Sequence, residues 1–143
     1  MRVYLDSSAL VKRALEEPES RALVSQLEHF VDAGDALFAS DLAVVEVSRT
    51  IRSRLDAEDP AVVAESVETS LAGIQESPIS DPVINIARRL GPSSLRSLDA
   101  IHLATATLVG AEVVCAYDGR LLTAAAELGF RTISPGTRSR DIE

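Results

Sequence analysis

Four acidic residues stand where a carboxylate could do chemistry: Asp6, Glu46, Asp99 and Asp118. Asp6 ends the apolar run Val3-Tyr4-Leu5, and Asp118 ends a second, Val113-Val114-Cys115-Ala116-Tyr117. Glu46 interrupts the apolar run from Leu42 to Val47 and is the only charge between Asp41 and Arg49. Asp99 follows Leu98 in a helix-like stretch from Ser97 to Val109. A carboxylate in apolar surroundings is costly unless it is paired, hydrogen-bonded or bound to a metal. Four of them, from distant parts of one chain, point to a divalent-cation site.

Neighbouring residues extend this set. Ser7 and Ser8 could donate hydrogen bonds beside Asp6. His102 lies three residues after Asp99, on the same side of a helix. It could touch a substrate phosphate or act as a general base, but a packed histidine bonded to a neighbour is the expected role. Arg96 could pair with one of the acids or with a phosphate. Each acid also has a structural reading. Asp118 precedes Gly119 and a helix, so N-capping and ligation are equally good accounts. Asp99 falls in a first helical turn, where an acid suits the helix dipole. Asp41 and Asp81 read as caps alone.

The elements that must position these groups alternate between strand and helix. Strands are expected at Val3 to Leu5, Ala36 to Ala39, Val113 to Tyr117 and Phe130 to Ile133, with a weak one at Pro78-Ile79. Helices are expected from Ser8 to Leu15, and from Glu19 to Val31 with Pro18 in the first turn. Ser40 or Asp41 caps a helix to Leu55, and Asp59-Pro60 opens one to Leu71. Asp81-Pro82 opens another to Leu90, which Gly91-Pro92 stops. Ser97 caps the helix to Val109, Gly110 ends it, and Ala124 to Leu128 forms the last. The pattern predicts one α/β domain over 1–135, with a mainly parallel sheet of four to five strands and helices on both faces. Residues 136–143 read as a polar tail. Ligands of such sheets bind outside the carboxyl ends of the strands, where Asp6 and Asp118 fall.

Composition narrows the function classes. The chain has 143 residues, 46% hydrophobic, which suits one core. Aromatic residues make up 3% and Trp is absent, so extensive base-stacking platforms are not expected. Cys115, the single cysteine, rules out an internal disulfide and reads as a small core residue. A reducing cytoplasm is the expected compartment. The apolar stretch after Met1 is too short for a signal peptide. No apolar run reaches the roughly 20 residues of a membrane helix. The formal net charge of −8 argues against a phosphate-rich partner. Bound cations would reverse that charge locally. Arginines also cluster at Arg49, Arg52 and Arg54 and at Arg88-Arg89, and arginine is the better bidentate phosphate ligand. Most of these read as solvated helix faces.

The residues together resemble the PIN domain family. Tyr4-Leu5-Asp6-Ser7-Ser8-Ala9-Leu10-Val11-Lys12 looks like its opening, and Glu46 within Leu42 to Val47 like its second acid. Leu98-Asp99-Ala100-Ile101-His102-Leu103-Ala104-Thr105-Ala106 is similar to the segment holding the third acid. Tyr117-Asp118-Gly119-Arg120-Leu121 is similar to that holding the fourth. Length and compactness resemble the VapC group, the toxin half of toxin–antitoxin pairs. The resemblance implies an endoribonuclease dependent on Mg²⁺, with Mn²⁺ as the alternative. It implies that Asp6, Glu46, Asp99 and Asp118 hold the metal and that Ser8 supports them. It further implies a homodimer, inhibition by a cognate antitoxin, and structured RNA of the translation machinery, tRNA or rRNA, as substrate. Two other readings compete. One is a PIN-like binding module without activity, which predicts a gap in the acid quartet. The other is a phosphatase or phosphotransfer domain with Asp6 as nucleophile, which would want a second Asp where Ser8 stands.

Overall fold

Val3, Tyr4 and Leu5 are wholly buried, and the alternation of their side chains decides which helices lie on which face. The structure, a computed structural model, describes residues 1–55 and 59–138. Its strands are β1 (Arg2–Leu5), β2 (Ala36–Ser40), β3 (Gln75–Ser77), β4 (Val113–Cys115) and β5 (Arg131–Ile133). They form one sheet in the order β3-β2-β1-β4-β5, and every neighbouring pair is parallel. The expected parallel sheet is therefore present with five strands. Strand β1 is central, with Val3 in register with Leu37 on one side and Val113 on the other.

The helices are α1 (Ser7–Ala14), α2 (Ser20–Asp32), α3 (Asp41–Arg54), α4 (Pro60–Leu71), α5 (Asp81–Ala87), α6 (Ser97–Leu108) and α7 (Gly119–Glu127). Odd-numbered strand residues Val3, Leu5, Leu37, Val113 and Cys115 pack with Leu10 of α1, Leu27 and Phe30 of α2, and Val47 and Ile51 of α3. Even-numbered Tyr4 and Val114 pack with Leu103 and Ala106 of α6 and with Leu121, Leu122 and Ala125 of α7. The period-2 pleat separates the two sets. Each fully buried Leu or Val contributes roughly 1.5–3 kcal/mol, so these two cores fix the helices to the sheet.

The chain winds outward from β1 through β2 to β3, then returns to lay β4 on the other side of β1. The boundary between β1 and β4 is thus the point where the strand order reverses. At such a point the loops leaving two adjacent strands diverge to opposite faces and open a crevice beyond the carboxyl ends.

Several expectations need correction. The third strand is Gln75–Ser77, not Pro78-Ile79. It is a polar edge strand with no buried residue, so no apolar signal marked it, and Pro78 follows it as a terminator. Ser97 is the first residue of α6, and the N-cap is Arg96, which makes no side-chain cap bond. Asp41 and Asp81 are first-turn acids rather than caps; Ser40 and Ser80 occupy the cap positions. Pro18 lies in the turn before α2. Helix α5 stops at Ala87 and α7 begins at Gly119, five residues before the expected Ala124. Gly136, at φ 86°, lies so near Ala22 of α2 and its N-cap Glu19 that a Cβ there would stand 3.0 Å from that of Ala22. Residues 139–143 of the expected tail lie outside the described residues.

Leu103 has no exposed surface and joins α6 to the Tyr4 face of the sheet. Leu103→Ala should cost about 2–5 kcal/mol in urea denaturation. A loss below about 1 kcal/mol would mean that α6 is not anchored by this contact.

Candidate active site

Asp6 directly follows the central strand and closes it by a backbone bond from its N–H to the Cys115 carbonyl, at 3.3 Å. Its extended backbone, at φ −86° and ψ 177°, makes it the N-cap of α1. The carboxylate takes two hydrogen bonds, both on Oδ1: 2.6 Å from the Ser8 hydroxyl and 3.1 Å from the Ala9 N–H. Ser8 Oγ in turn accepts 2.9 Å from the Tyr117 N–H, just beyond β4. One hydroxyl therefore ties the end of β1 to the end of β4. Among the described residues Oδ2 of Asp6 has no protein donor, although the residue is only 4% exposed.

Asp118 repeats this arrangement after β4. It is the N-cap of α7, and its Oδ1 accepts from the Arg120 N–H at 2.9 Å. Capping and ligation are thus compatible, because a cap uses one oxygen of the two. Asp99, in the first turn of α6, lines an open hollow of about 850 Å³ together with Asp118, Arg96 and Arg120. Asp6 and Glu46 are not in the wall of that hollow; Asp6 lies too deep to face it broadly.

Glu46 approaches from α3, on the opposite face of the sheet from α6. Its Oε1 meets His102 Nε2 at 2.6 Å. His102 is 3% exposed, and its Nδ1 lies 2.6 Å from the Tyr4 hydroxyl. The expected packed histidine is thus present, and the neighbour it bonds is one of the four acids. Sequence reading treated Tyr4 only as a strand residue; a tyrosine inside an otherwise aliphatic run was the available signal.

The acids sense one another. Burial pushes the Asp6 carboxyl up to about 6; Ser8, His102 and Ala9 oppose the rise, and the charge of Asp118 adds to it. Asp99 is also raised, first by burial and then by Asp118, with Glu46 adding and His102 and Arg96 opposing. A shared cation would relieve this mutual repulsion, and the donors are hard oxygens of the kind Mg²⁺ and Mn²⁺ prefer. Among the described residues no three His, Cys, Asp or Glu side chains converge into a ready cage. The set suits an ion that keeps part of its water shell and takes two or so carboxylates, as Mg²⁺ commonly does. The donor chemistry fits on that basis, with the free Oδ2 of Asp6 as the observation that carries the fit.

The elevation of Asp6 has a sign that can be tested. Between pH near 4 and about 6 the unfolded chain has released this proton and the folded chain has not, so stability falls as pH rises through that window. The full loss is about 3 kcal/mol. Asp6→Asn keeps the N-cap and Ser8 contacts and removes the charge. In EDTA at about pH 7 it should be more stable than wild type by up to that amount, and the two should converge near pH 4. Added Mn²⁺ should stabilise only the wild type. Equal urea midpoints in EDTA at neutral pH would show that Asp6 is not under this strain.

The pattern of known proteins agrees with this geometry. The model of the PIN domain family matches residues 3–127. Ribonuclease VapC47 of Mycobacterium tuberculosis (strain CDC 1551 / Oshkosh) is 38% identical over 136 residues, 94% of this chain and 97% of that protein. Ribonuclease VapC46 of M. tuberculosis (strain ATCC 25618 / H37Rv) is 38% identical over 135 residues, 93% and 97% of the two chains. Among solved structures, M. tuberculosis VapC20, described as a Sarcin-Ricin loop cleaving toxin, superposes with a TM-score of 0.67 at 13% identity, covering 93% of this chain and 99% of that one. VapBC2 from Rickettsia felis, bound to a DNA fragment from its promoter, gives 0.70 at 11% identity, covering 93% and 98%. The two structures speak for the fold, and the two relatives for the family. With its acids arranged about the end of the central strand, this chain belongs to the PIN domain family and, within it, to the VapC ribonucleases.

Proposed function

We propose that this protein is the toxin of a type II toxin–antitoxin pair, an endoribonuclease that depends on a divalent cation and cuts structured RNA, tRNA or rRNA, so halting translation. The observation that carries the reading is the pairing of Asp6 and Asp118 across the β1/β4 switch point, each with one oxygen spent on a helix cap. Kinship to ribonucleases supports the reaction type. A toxin–antitoxin complex among the similar folds supports an antitoxin partner. Mg²⁺ is the proposed ion and Mn²⁺ its substitute, in a cytoplasmic homodimer. RNA and a cognate antitoxin are the proposed partners, and among the described residues no helix is long and apolar enough to cross a membrane.

Each side chain has a proposed role. Asp6 and Asp99 share the principal ion, and Asp118 and Glu46 complete its shell, partly through water. When bound, such an ion makes water nucleophilic at neutral pH and stabilises the departing oxygen. Ser8 fixes the rotamer of Asp6 and leaves Oδ2 to the ion. Arg96 and Arg120, in the hollow with Asp99 and Asp118, meet the scissile phosphate. The phosphatase reading loses support, because Ser8 is not spare for phosphate chemistry: it donates to Asp6 and accepts from Tyr117.

An acidic protein needs a local means of holding RNA. Helix α3 supplies one. Residues i+3, i+4 and i+7 after Glu46 are Arg49, Thr50 and Ser53, which share its face of the helix. Arg49, Thr50, Arg52, Ser53 and Arg54 line one cleft, and Thr50 and Arg54 also border a second, which reaches Ser8, Lys12 and Tyr117. A basic track thus leads from the arginine cleft to the hydroxyl that holds Asp6.

Two experiments test this reading. Purified protein incubated with mixed tRNA and rRNA should give discrete cuts in Mg²⁺ or Mn²⁺ and none in EDTA. Asp6→Asn should slow them by more than about a hundredfold with the fold intact by circular dichroism. Wild-type cutting rates in the variant would remove Asp6 from the site, and no metal binding by wild type would favour the inactive module. Second, Arg49→Ala with Arg52→Ala should flatten the slope of log affinity against log salt for a single-stranded RNA by about 0.7 per lost phosphate contact. An unchanged slope would send the RNA elsewhere.

A further inference from the structure

We infer that His102 is the positioning residue of Glu46, and that the buried hydroxyl of Tyr4 holds its ring in place. The inference rests on the proposed cation site. Neither a phosphate contact nor general-base work suits this imidazole, because it is 3% exposed and both ring nitrogens are committed at 2.6 Å. Protons in such a chain can run in only a few ways. A carboxylate accepts and cannot donate, so Nε2 must carry the hydrogen that faces Glu46. Nδ1 faces the hydroxyl of Tyr4, a residue that has no exposed surface and packs among Leu103, Val114 and Leu121.

The chain of bonds has a mechanical purpose. Glu46 has a long side chain, 28% exposed, on α3. Its partner sits on α6, whose other buried residues pack on the opposite face of the sheet. The bond therefore spans the carboxyl edge and fixes Oε1, leaving Oε2 for the cation. Holding a flexible carboxylate ready removes ordering entropy from the binding step. An imidazole backed by a hydrogen-bond partner also holds a fixed ring plane, as the outer partners of metal ligands commonly do. The Tyr4 and His102 rings meet edge to face, at 5.9 Å and 67°, so packing and hydrogen bonding restrain the same orientation.

The test is Mn²⁺ titration of the metal-free protein in a calorimeter, on wild type, Tyr4→Phe, His102→Leu and His102→Gln. Tyr4→Phe, which keeps the ring and removes the hydroxyl, should weaken Mn²⁺ binding by about tenfold. His102→Leu should weaken it by about ten- to a hundredfold, and His102→Gln, whose amide can replace the Nε2–H donor, should restore most of the loss. Unchanged Mn²⁺ affinity in Tyr4→Phe and His102→Leu, beside a wild type that binds the ion, would overturn the inference. A wild type that binds no Mn²⁺ would overturn the cation site itself and the positioning role with it.

Discussion

A carboxylate sealed at the end of a central strand must be compensated, and the compensation of Asp6 organises the working edge of this molecule. The strand runs through the interior, so its last residue emerges next to the core, not in open water. Two short hydrogen bonds from Ser8 and Ala9 oppose the burial but do not cancel it. The same Ser8 hydroxyl accepts from Tyr117, so the device that quiets Asp6 also pins β4 beside β1 at the switch point. Tyr117 is itself fixed, with its hydroxyl donating to the Pro135 carbonyl at 2.7 Å and Lys12 Nζ standing 4.7 Å from its ring centre. Rigidity around the acid and residual electrostatic discomfort of the acid are thus one arrangement. A site that must bind a cation gains from both, because a carboxylate fully satisfied by protein donors would have little left to offer an ion.

Helix capping explains how two of the acids can be structural and chemical together. Asp6 and Asp118 leave adjacent parallel strands and start α1 and α7, which pack on opposite faces of the sheet. Each cap uses Oδ1. Parallel topology then does the rest, since every strand delivers its successor helix at the same edge. Asp118 is exposed where Asp6 is buried, so in the proposed site the pair would offer one firm ligand and one able to adjust as substrate enters.

Much of this was legible from residues alone, and the physical reasons differ from element to element. Asp59-Pro60 names the start of α4 because a capping acid before a first-turn proline has few other readings. The run ending in Asp6 names β1, because a continuous apolar segment closed by a charge fits a buried parallel strand. Strand β3 was not legible. Gln75, Glu76 and Ser77 pair at the sheet edge through backbone groups that carry no side-chain signature. The start of α6 was misplaced for a related reason: Ser97 has the chemistry of a cap, but the chain enters the helix one residue earlier, at Arg96, without one. The candidate acids were visible as types in unusual surroundings. Their support was not, because Tyr4 and His102 lie 98 residues apart and His102 and Glu46 lie 56 apart. Only the fold brings such partners together.

The overall acidity and the proposed RNA chemistry are then consistent with each other. A net charge of −8 is a sum over the surface, while a strand of RNA meets only the groups along its path, and charge beyond about 8–10 Å is screened at physiological salt. Along the proposed path the residues are Arg49, Arg52, Arg54, Lys12, Arg96 and Arg120. Lys12 is partly committed, pairing with Glu17 and Glu19 at 3.0 Å each, and Arg54 stands 3.9 Å from Glu17. Among the described residues Arg49 and Arg52 have no such carboxylate. The acids at the centre repel phosphate until a cation neutralises them. On the proposed reading, binding of RNA at the rim and reaction at the centre are separable by salt and by metal, and the division follows from where the fold places arginine and where it places carboxylate.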